Sequence, residues 1–432
     1  MLLRLPTHLR AATDAALPSV TGFFRQGPAL VCDGVPLADL AASYGTPLYV
    51  YSAAAIGSRY RAIDEAFDGY PHSIHYALKA NSTLAIARLL RLLGSNADAN
   101  SGGEIDVALR AGFIPTQIVF TGVGKTSAEL AHAIDLGVGT INVESEGELD
   151  RLDALSRERD TRTRIAIRVN PDIDASTHPH ISTGLKTNKF GVAAAVVPEL
   201  CRRARAMAGI DVVGLHSHVG SQITALDPLR RAAELLVRLG RELRDAGTRI
   251  EHLDVGGGLG VSYDGSPVPG AWEYADAMLS AVRDSGFALV LEPGRHIVAP
   301  AGVLLTRVID VKAQPGGRRF VIMDAGMTEL LRPMLYSAYH RIEPVISTGA
   351  ALVDSDVVGP LCESSDTLGR NRALPDPRVD DLYAVMDAGA YGSAMASNYN
   401  RRLQPAEVLV ENGAATVIKR RQTIDDLLAL EN

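Results

Sequence analysis

Lys79 closes a β-prone run, SIHYALK (73–79). At strand spacing Ile74, Tyr76 and Leu78 share one face, and Ser73, His75, Ala77 and Lys79 share the other. With the apolar face packed on helices, the amine points the opposite way, into the mouth of the fold. Hydrophobic walls there favour the neutral amine, which suits a nucleophile or Schiff-base former. Three glycines, Gly256, Gly257 and Gly258, directly follow the apolar run HLDV. Glycines at a strand end leave backbone N–H groups free to approach an anion. HVGSQ (218–222) adds another glycine and the hydroxyl of Ser221, and EPGR (292–295) adds Arg295. Glu292, which closes an apolar run of its own, suits a metal ligand, a base, or the partner of a protonated ring nitrogen. A lysine, a phosphate cradle and an acidic ring partner are together what a pyridoxal phosphate site requires.

These residues need a scaffold that brings strand ends together. Short β-prone runs recur at 73–79, 96–100, 117–121, 140–143, 164–169, 212–218, 250–255 and 287–292, with helix-like segments such as 84–94 and 228–247 between them. Eight β/α alternations over about 250 residues predict a TIM-type (β/α)8 barrel, whose active site gathers at the carboxyl ends of the strands. Those ends carry Lys79, Asp98, Glu144, Arg168 with Asn170, His218, the triple glycine and Glu292. The C-terminal part, with runs such as GVLLTRVIDVKA, RRFVIMDAG and PAEVLVENGAATVI, reads as all-β. The expected organisation is a barrel over 46–298, a β-sandwich or β-barrel-like domain over 299–432, and an N-terminal segment, 1–45, adding one strand and a short helix to that β domain.

Composition narrows the class. The 432 residues are 47% hydrophobic and 22% charged, with net charge −7, so neither a disordered chain nor a nucleic-acid footprint is expected. No apolar run reaches the roughly 18 residues of a membrane span. Three scattered cysteines, Cys32, Cys201 and Cys362, make no disulfide framework and suit a reducing, cytoplasmic setting. Residues 1–22 lack the apolar core of a secretory signal. Two motifs are decoys. GVGKT (122–126) ends like a P-loop, but the pattern needs glycine at 119, where Val119 stands. His216 and His218 form an HxH pair, yet the barrel metallohydrolases carry theirs on the first strand and this one lies on the sixth; no metal is expected.

Taken together the motifs resemble the fold-type III, alanine-racemase-like pyridoxal phosphate enzymes, and within them the diaminopimelate decarboxylases. The match runs from about Gly34 to the C-terminus. YALKAN (76–81) is similar to the family's cofactor-lysine motif, which implies that Lys79 carries the cofactor. HVGSQ resembles its stacking-histidine loop, giving His218 the ring face and Ser221 a phosphate contact. Gly256, Gly257, Gly258, Glu292, Gly294 and Arg295 match its phosphate and pyridinium sites, and Tyr391 in DAGAYG matches its phosphate tyrosine. HPHISTGLKTNKFG (178–191) is similar to the segment that shapes the substrate end. RPMLY (332–336) resembles the substrate clamp, with Arg332 and Tyr336, and Tyr391 also borders the substrate. GPLCESSD (359–366) resembles the loop offered by a partner subunit, with Cys362 as proton donor and Glu363 as a substrate contact, so the resemblance implies a homodimer with shared sites.

The charges agree with such a substrate. Meso-diaminopimelate carries an amino and a carboxylate group at each end, and Arg295 and Arg332 suit bidentate binding of the distal carboxylate. Glu363 suits the distal ammonium. The expected reaction is decarboxylation to L-lysine, with Lys79, His218 and Cys362 as catalytic residues. The alternative is the same chemistry on ornithine, lysine or a related precursor. The acidic neighbours Glu363 and Asp366 are expected to keep Cys362 a thiol, hence a proton donor.

Overall fold

The computed structural model describes residues 22–174, 183–185, 187–315 and 317–431. Residues 1–21 and much of 178–191, including Lys186, lie outside them, so the expectations for the N-terminal extension and for the HPHIS part of the substrate-end segment are not addressed. The eight barrel strands, labelled β1–β8 in chain order, are His72–Ala77, Asn96–Ala99, Ile118–Phe120, Thr140–Val143, Thr163–Asn170, Ile210–His216, His252–Asp254 and Ala288–Leu291. Each is parallel to the next, and β8 returns to β1 with Leu291 opposite Ile74, so the barrel is closed. A helix follows each of β1–β7. Leu84–Leu92 buries Ile86, Ala87 and Leu90 at helical spacing against the strands, and Asp227–Asp245 buries a long leucine and alanine stripe. Starts and stops follow local chemistry: Thr126 and Glu129 form a capping box, and Gly112 and Gly137 end their helices in the left-handed region.

β1 is shorter than the sequence suggests. It ends at Ala77, and Leu78–Ala80 form a 3₁₀ turn that carries Lys79. Strand alternation therefore holds for Ile74 and Tyr76, which pack outward in the main core, but does not aim Lys79. The turn at the strand end aims it.

The second unit is a sheet of antiparallel and mixed pairs. Its order is Thr367–Pro375, Leu352–Val358, Arg319–Met323, Gly302–Ala313, Leu48–Ser52, Ala406–Glu411 and Ala414–Lys419. The last two form a hairpin across Asn412–Gly413, both at positive φ, the backbone that an Asn-Gly turn favours. Leu48–Ser52 falls on the barrel side of a boundary at 45/46, yet it pairs with Gly302–Leu305 and with Ala406–Val410. Residues 22–45 add three short strands, Phe23–Gln26, Ala29–Cys32 and Val35–Pro36, where one was expected, and a helix, Leu37–Tyr44. Leu30, Leu37, Leu48, Val303, Val345 and Val408 share one buried cluster, so both ends of the chain build this unit. Among the described residues no helix is long and apolar enough to cross a membrane.

Candidate active site

The carboxyl ends of the strands converge on Lys79. Its Nζ donates to Asp98 Oδ2 at 3.1 Å, while Asn100 Oδ1 stands at 3.5 Å, and the side chain remains about one-third exposed. The surroundings are not the hydrophobic walls expected. Burial disfavours the ammonium, but the carboxylates of Asp98 and Glu292 outweigh it and hold the lysine pKa above its ordinary value. In the protein without ligand the amine is therefore a cation.

Glu292 lies at the end of β8 with both carboxylate oxygens buried and without hydrogen-bond partners. His216 Nε2, at the end of β6, stands 3.4 Å from Glu292 Oε2, and Asp254, at the end of β7, completes a group whose ligand atoms lie within 4.8 Å of one another. Burial pushes the Glu292 carboxyl up, yet the His216 ring and the Lys79 ammonium more than offset it and leave Glu292 ionised. Burial and the negative charge of Glu292 drive Asp254 the other way, so it keeps its proton. His216 is a packed core histidine, as expected, but it packs on the Glu292 carboxylate.

The glycines make close approach possible. A Cβ on Gly257 would stand 2.2 Å from the Glu292 carbonyl oxygen, and one on Gly258, at φ +112°, would stand 2.7 Å from the Gly220 carbonyl. Gly294 lets the EPGR turn press on the lysine turn, since a Cβ there would meet Ala80 Cβ at 2.9 Å. The Gly257 N–H donates to His218 Nδ1 at 3.1 Å, which orients the ring. Burial, with the positive charges of Lys79 and Arg168, drives the His218 pKa down, so the ring is neutral. Ser221 Oγ accepts from Arg295 Nε and Nη2 at 3.2 and 3.0 Å, and the Arg295 guanidinium lies 4.6 Å from the Tyr391 ring centroid. The Tyr391 N–H donates to the Ala80 carbonyl at 2.8 Å, tying the DAGAYG turn to the lysine turn. Lys79, His218, Ser221, the three glycines, Glu292, Gly294, Arg295 and Tyr391 thus form one constellation.

A cleft of about 450 Å³ at the same end is lined by Gln222, Tyr263, Arg332 and Tyr336. Arg295 and Arg332 are both buried, and neither has a carboxylate partner among the described residues. Arg332 Nε has no hydrogen-bond partner among the described residues. A larger cleft, about 600 Å³, opens at the opposite end, around the strand starts at Ser73, Asn96, Thr163 and His252. It contains neither the lysine nor the orphaned carboxylate, so size alone points to the wrong end of the barrel.

A family model, "Pyridoxal-dependent decarboxylase, pyridoxal binding domain", matches residues 53–299. Diaminopimelate decarboxylase of Vibrio cholerae is 44% identical over 410 residues, which cover 95% of this chain and 98% of that protein. The chain belongs to the diaminopimelate decarboxylases. The crystal structure of diaminopimelate decarboxylase from Helicobacter pylori complexed with L-lysine matches with TM-score 0.88 and 42% identity, over 91% of this chain and 99% of that one. The enzyme from M. jannaschii in co-complex with L-lysine matches with TM-score 0.90 and 37% identity, over 95% and 98%.

As a member of the diaminopimelate decarboxylases, the chain is a pyridoxal phosphate-dependent carboxy-lyase. The residues present fit that cofactor. An ionised, buried carboxylate without a hydrogen-bond partner calls for a cationic ring N–H, and the glycines let the loop backbones at the ends of β6, β7 and β8 pack so closely that any Cβ would strike a neighbouring carbonyl. Cys362 and Glu363 are not brought to this site within one chain. Both are exposed on the turn after Leu352–Val358, and Glu363 accepts from Ser365 Oγ at 2.6 Å. The Asp366 carboxylate accepts from the Met327 and Leu361 N–H groups at 2.7 and 2.8 Å and anchors the loop. Of the substrate-end segment, Leu185 and Phe190 are held by Asn170, whose amide donates to both carbonyls. The Gly191 N–H donates to Glu144, which also pairs with Arg168. Asp254, Tyr263 and His340 escaped the sequence reading; only the acid at the end of HLDV carried a local signal.

Proposed function

We propose a division of labour among these residues for the reaction that family membership gives the chain, decarboxylation of meso-diaminopimelate to L-lysine and carbon dioxide, the last step to lysine. Lys79 is the covalent attachment point. Ser221, Gly256, Gly257, Gly258 and Tyr391 hold the phosphate, His218 covers one ring face, and Glu292 keeps the proton on the ring nitrogen. Bound pyridoxal phosphate supplies a cationic ring that accepts the electron pair released with carbon dioxide. Arg295 and Arg332 bind the distal carboxylate, with Tyr336 along the cleft. The carrying observation is the pair of buried guanidinium groups without an internal anion, because an unpaired buried charge is costly until a ligand answers it. Carbon dioxide release across diaminopimelate, lysine and ornithine tests the assignment. Turnover of diaminopimelate far above the other two is expected, and equal turnover of lysine would overturn it.

Cys362 protonates the reacting carbon and Glu363 takes the distal ammonium, both from the partner of a homodimer. Their exposure on a loop anchored from within supports this, and so does the cysteines' being free, which fits a cytoplasmic enzyme. Mixing Lys79→Ala with Cys362→Ala protein under exchange should restore about a quarter of wild-type turnover, because random pairing leaves one complete site in half of the dimers. No recovery despite exchange would remove the shared site.

A further inference from the structure

Arg332 and Arg295 come from different units, the first from the short helix Arg332–Tyr336 and the second from the turn after β8. Two cations side by side in a buried cleft repel, so something must fix their separation before substrate arrives. The His340 ring, wholly buried, places Nδ1 at 2.7 Å from the Met386 carbonyl, which can only accept. Nδ1 therefore carries the hydrogen. Burial and the nearby Arg332 push the ring down to about 3, so Nε2 is bare, and it accepts from Arg332 Nη1 at 2.6 Å. Tyr263 meets all three groups. Its hydroxyl accepts from Arg295 Nη1 at 2.8 Å, its ring centroid lies 4.3 Å from the Arg332 guanidinium, and its edge contacts His340 at 5.0 Å between centroids, with the planes at 68°. Neither residue brings a negative charge.

We propose that His340 and Tyr263 are specificity-positioning residues, a neutral bracket that holds Arg332 and Arg295 at a fixed spacing and leaves both charges for the distal carboxylate of the substrate. A carboxylate in their place would also restrain the arginines, but it would neutralise them and compete with the ligand. A neutral acceptor and a π face restrain direction while keeping the positive field. The bracket spans the barrel and the sheet unit, so it also ties substrate selection to how the two units meet. This rests on the reading that the arginines bind the distal carboxylate.

The test is steady-state kinetics of the holoenzyme on diaminopimelate, with cofactor absorbance and Tm recorded beside it. His340→Leu should raise KM about tenfold or more, with kcat within about threefold and the cofactor spectrum unchanged. His340→Gln, which keeps both an acceptor and a donor, should recover most of the loss. Tyr263→Phe, which keeps the ring and removes the acceptor for Arg295, should raise KM by a smaller factor, and it stands alone if His340→Leu fails to fold. A loss of kcat at constant KM, or no recovery in His340→Gln, would overturn the bracket. Arg332→Met separates the two ideas. If it raises KM while His340→Leu and Tyr263→Phe do not, the bracket falls and the distal-carboxylate reading stands. If Arg332→Met leaves KM unchanged, the reading itself falls, and the bracket with it.

Discussion

Among the described residues two barrel lysines, Lys79 and Lys125, pair with a carboxylate, and they differ in how open they are. Lys125, after β3, is fully enclosed and donates to Glu148 Oε1 at 2.6 Å and to the carbonyls of Gly122 and Asn142 at 2.7 Å each. An ammonium has three donors, and all three are used. Lys79 has one carboxylate at 3.1 Å, a looser amide contact and about a third of its side chain exposed. Their protonation runs against the usual picture of an activated amine. Burial lowers the Lys125 pKa more than Glu148 restores it, whereas Asp98 and Glu292 raise that of Lys79. A depressed pKa therefore does not distinguish the lysine proposed to carry the cofactor. A spare donor, an open side and a neighbouring carboxylate able to take a proton do.

Exchanging the two residues' fates is the hardest trial of this contrast. Lys79→Ala should abolish turnover, by roughly 10³-fold or more, and remove the cofactor-sized mass increment trapped by borohydride. Its urea midpoint should fall less than that of the Lys125 variant, because Asp98, although wholly buried, keeps the Asn100 amide as a partner and burial favours its taking up a proton. Lys125→Met should do the reverse. It strands Glu148 and two carbonyls, which costs about 3–5 kcal/mol, while the folded fraction retains its kcat. A Lys125→Met protein with full stability, or with the trapped mass increment lost, would erase the distinction.

This contrast also marks what the sequence could and could not disclose. Eight strand positions, the sheet character of the C-terminal part and the grouping of Lys79, His218, Glu292 and Arg295 at one end were legible because the strand period and the (β/α) rhythm are local. The P-loop-like GVGKT fails its pattern at Val119, but nothing in it announces that Lys125 is a buried tripod, since Asn142 and Glu148 arrive from β4 and the helix after it. The electrostatics were misjudged for the same reason. The walls around Lys79 are Asp98 and Glu292, delivered by β2 and β8. The bracket of Tyr263 and His340 joins two units through residues 77 positions apart, and no spacing rule reaches that far.

Buried histidines behave differently again, which gives a third effect. Burial, the largest influence in each case, lowers His75 and His252 to about 4, and His296 and His340 to about 3. The folded rings stay neutral while the unfolded ones take up protons below about pH 6.5. Their contribution is thus complete above that pH and lost as pH falls towards 3. Glu104, pushed up to about 7 by burial, works the other way over part of the interval. Unfolding free energy should therefore drop by about 2–3 kcal/mol between pH 7.5 and 5.5, seen as a lower urea midpoint. A flat profile would show that the rings are charged or hydrated in the folded protein.

The finest effect concerns Asp98 alone. Its Oδ2 accepts from Lys79 and from the Asn100 amide, each at 3.1 Å, and Oδ1 has no partner among the described residues, so the ammonium is the cation that this buried carboxylate touches. In Asp98→Asn the amide still occupies the place, but the negative charge is gone, and burial then acts on Lys79 against Glu292 alone. The amine becomes easier to deprotonate. Capture of added pyridoxal phosphate by the cofactor-free protein needs the neutral amine, so its rate against pH should move to lower pH by about one unit, with the plateau at high pH little changed. A shift to higher pH, or none, would mean that Asp98 does not govern the charge of Lys79, and the open site would then owe its reactivity to exposure alone.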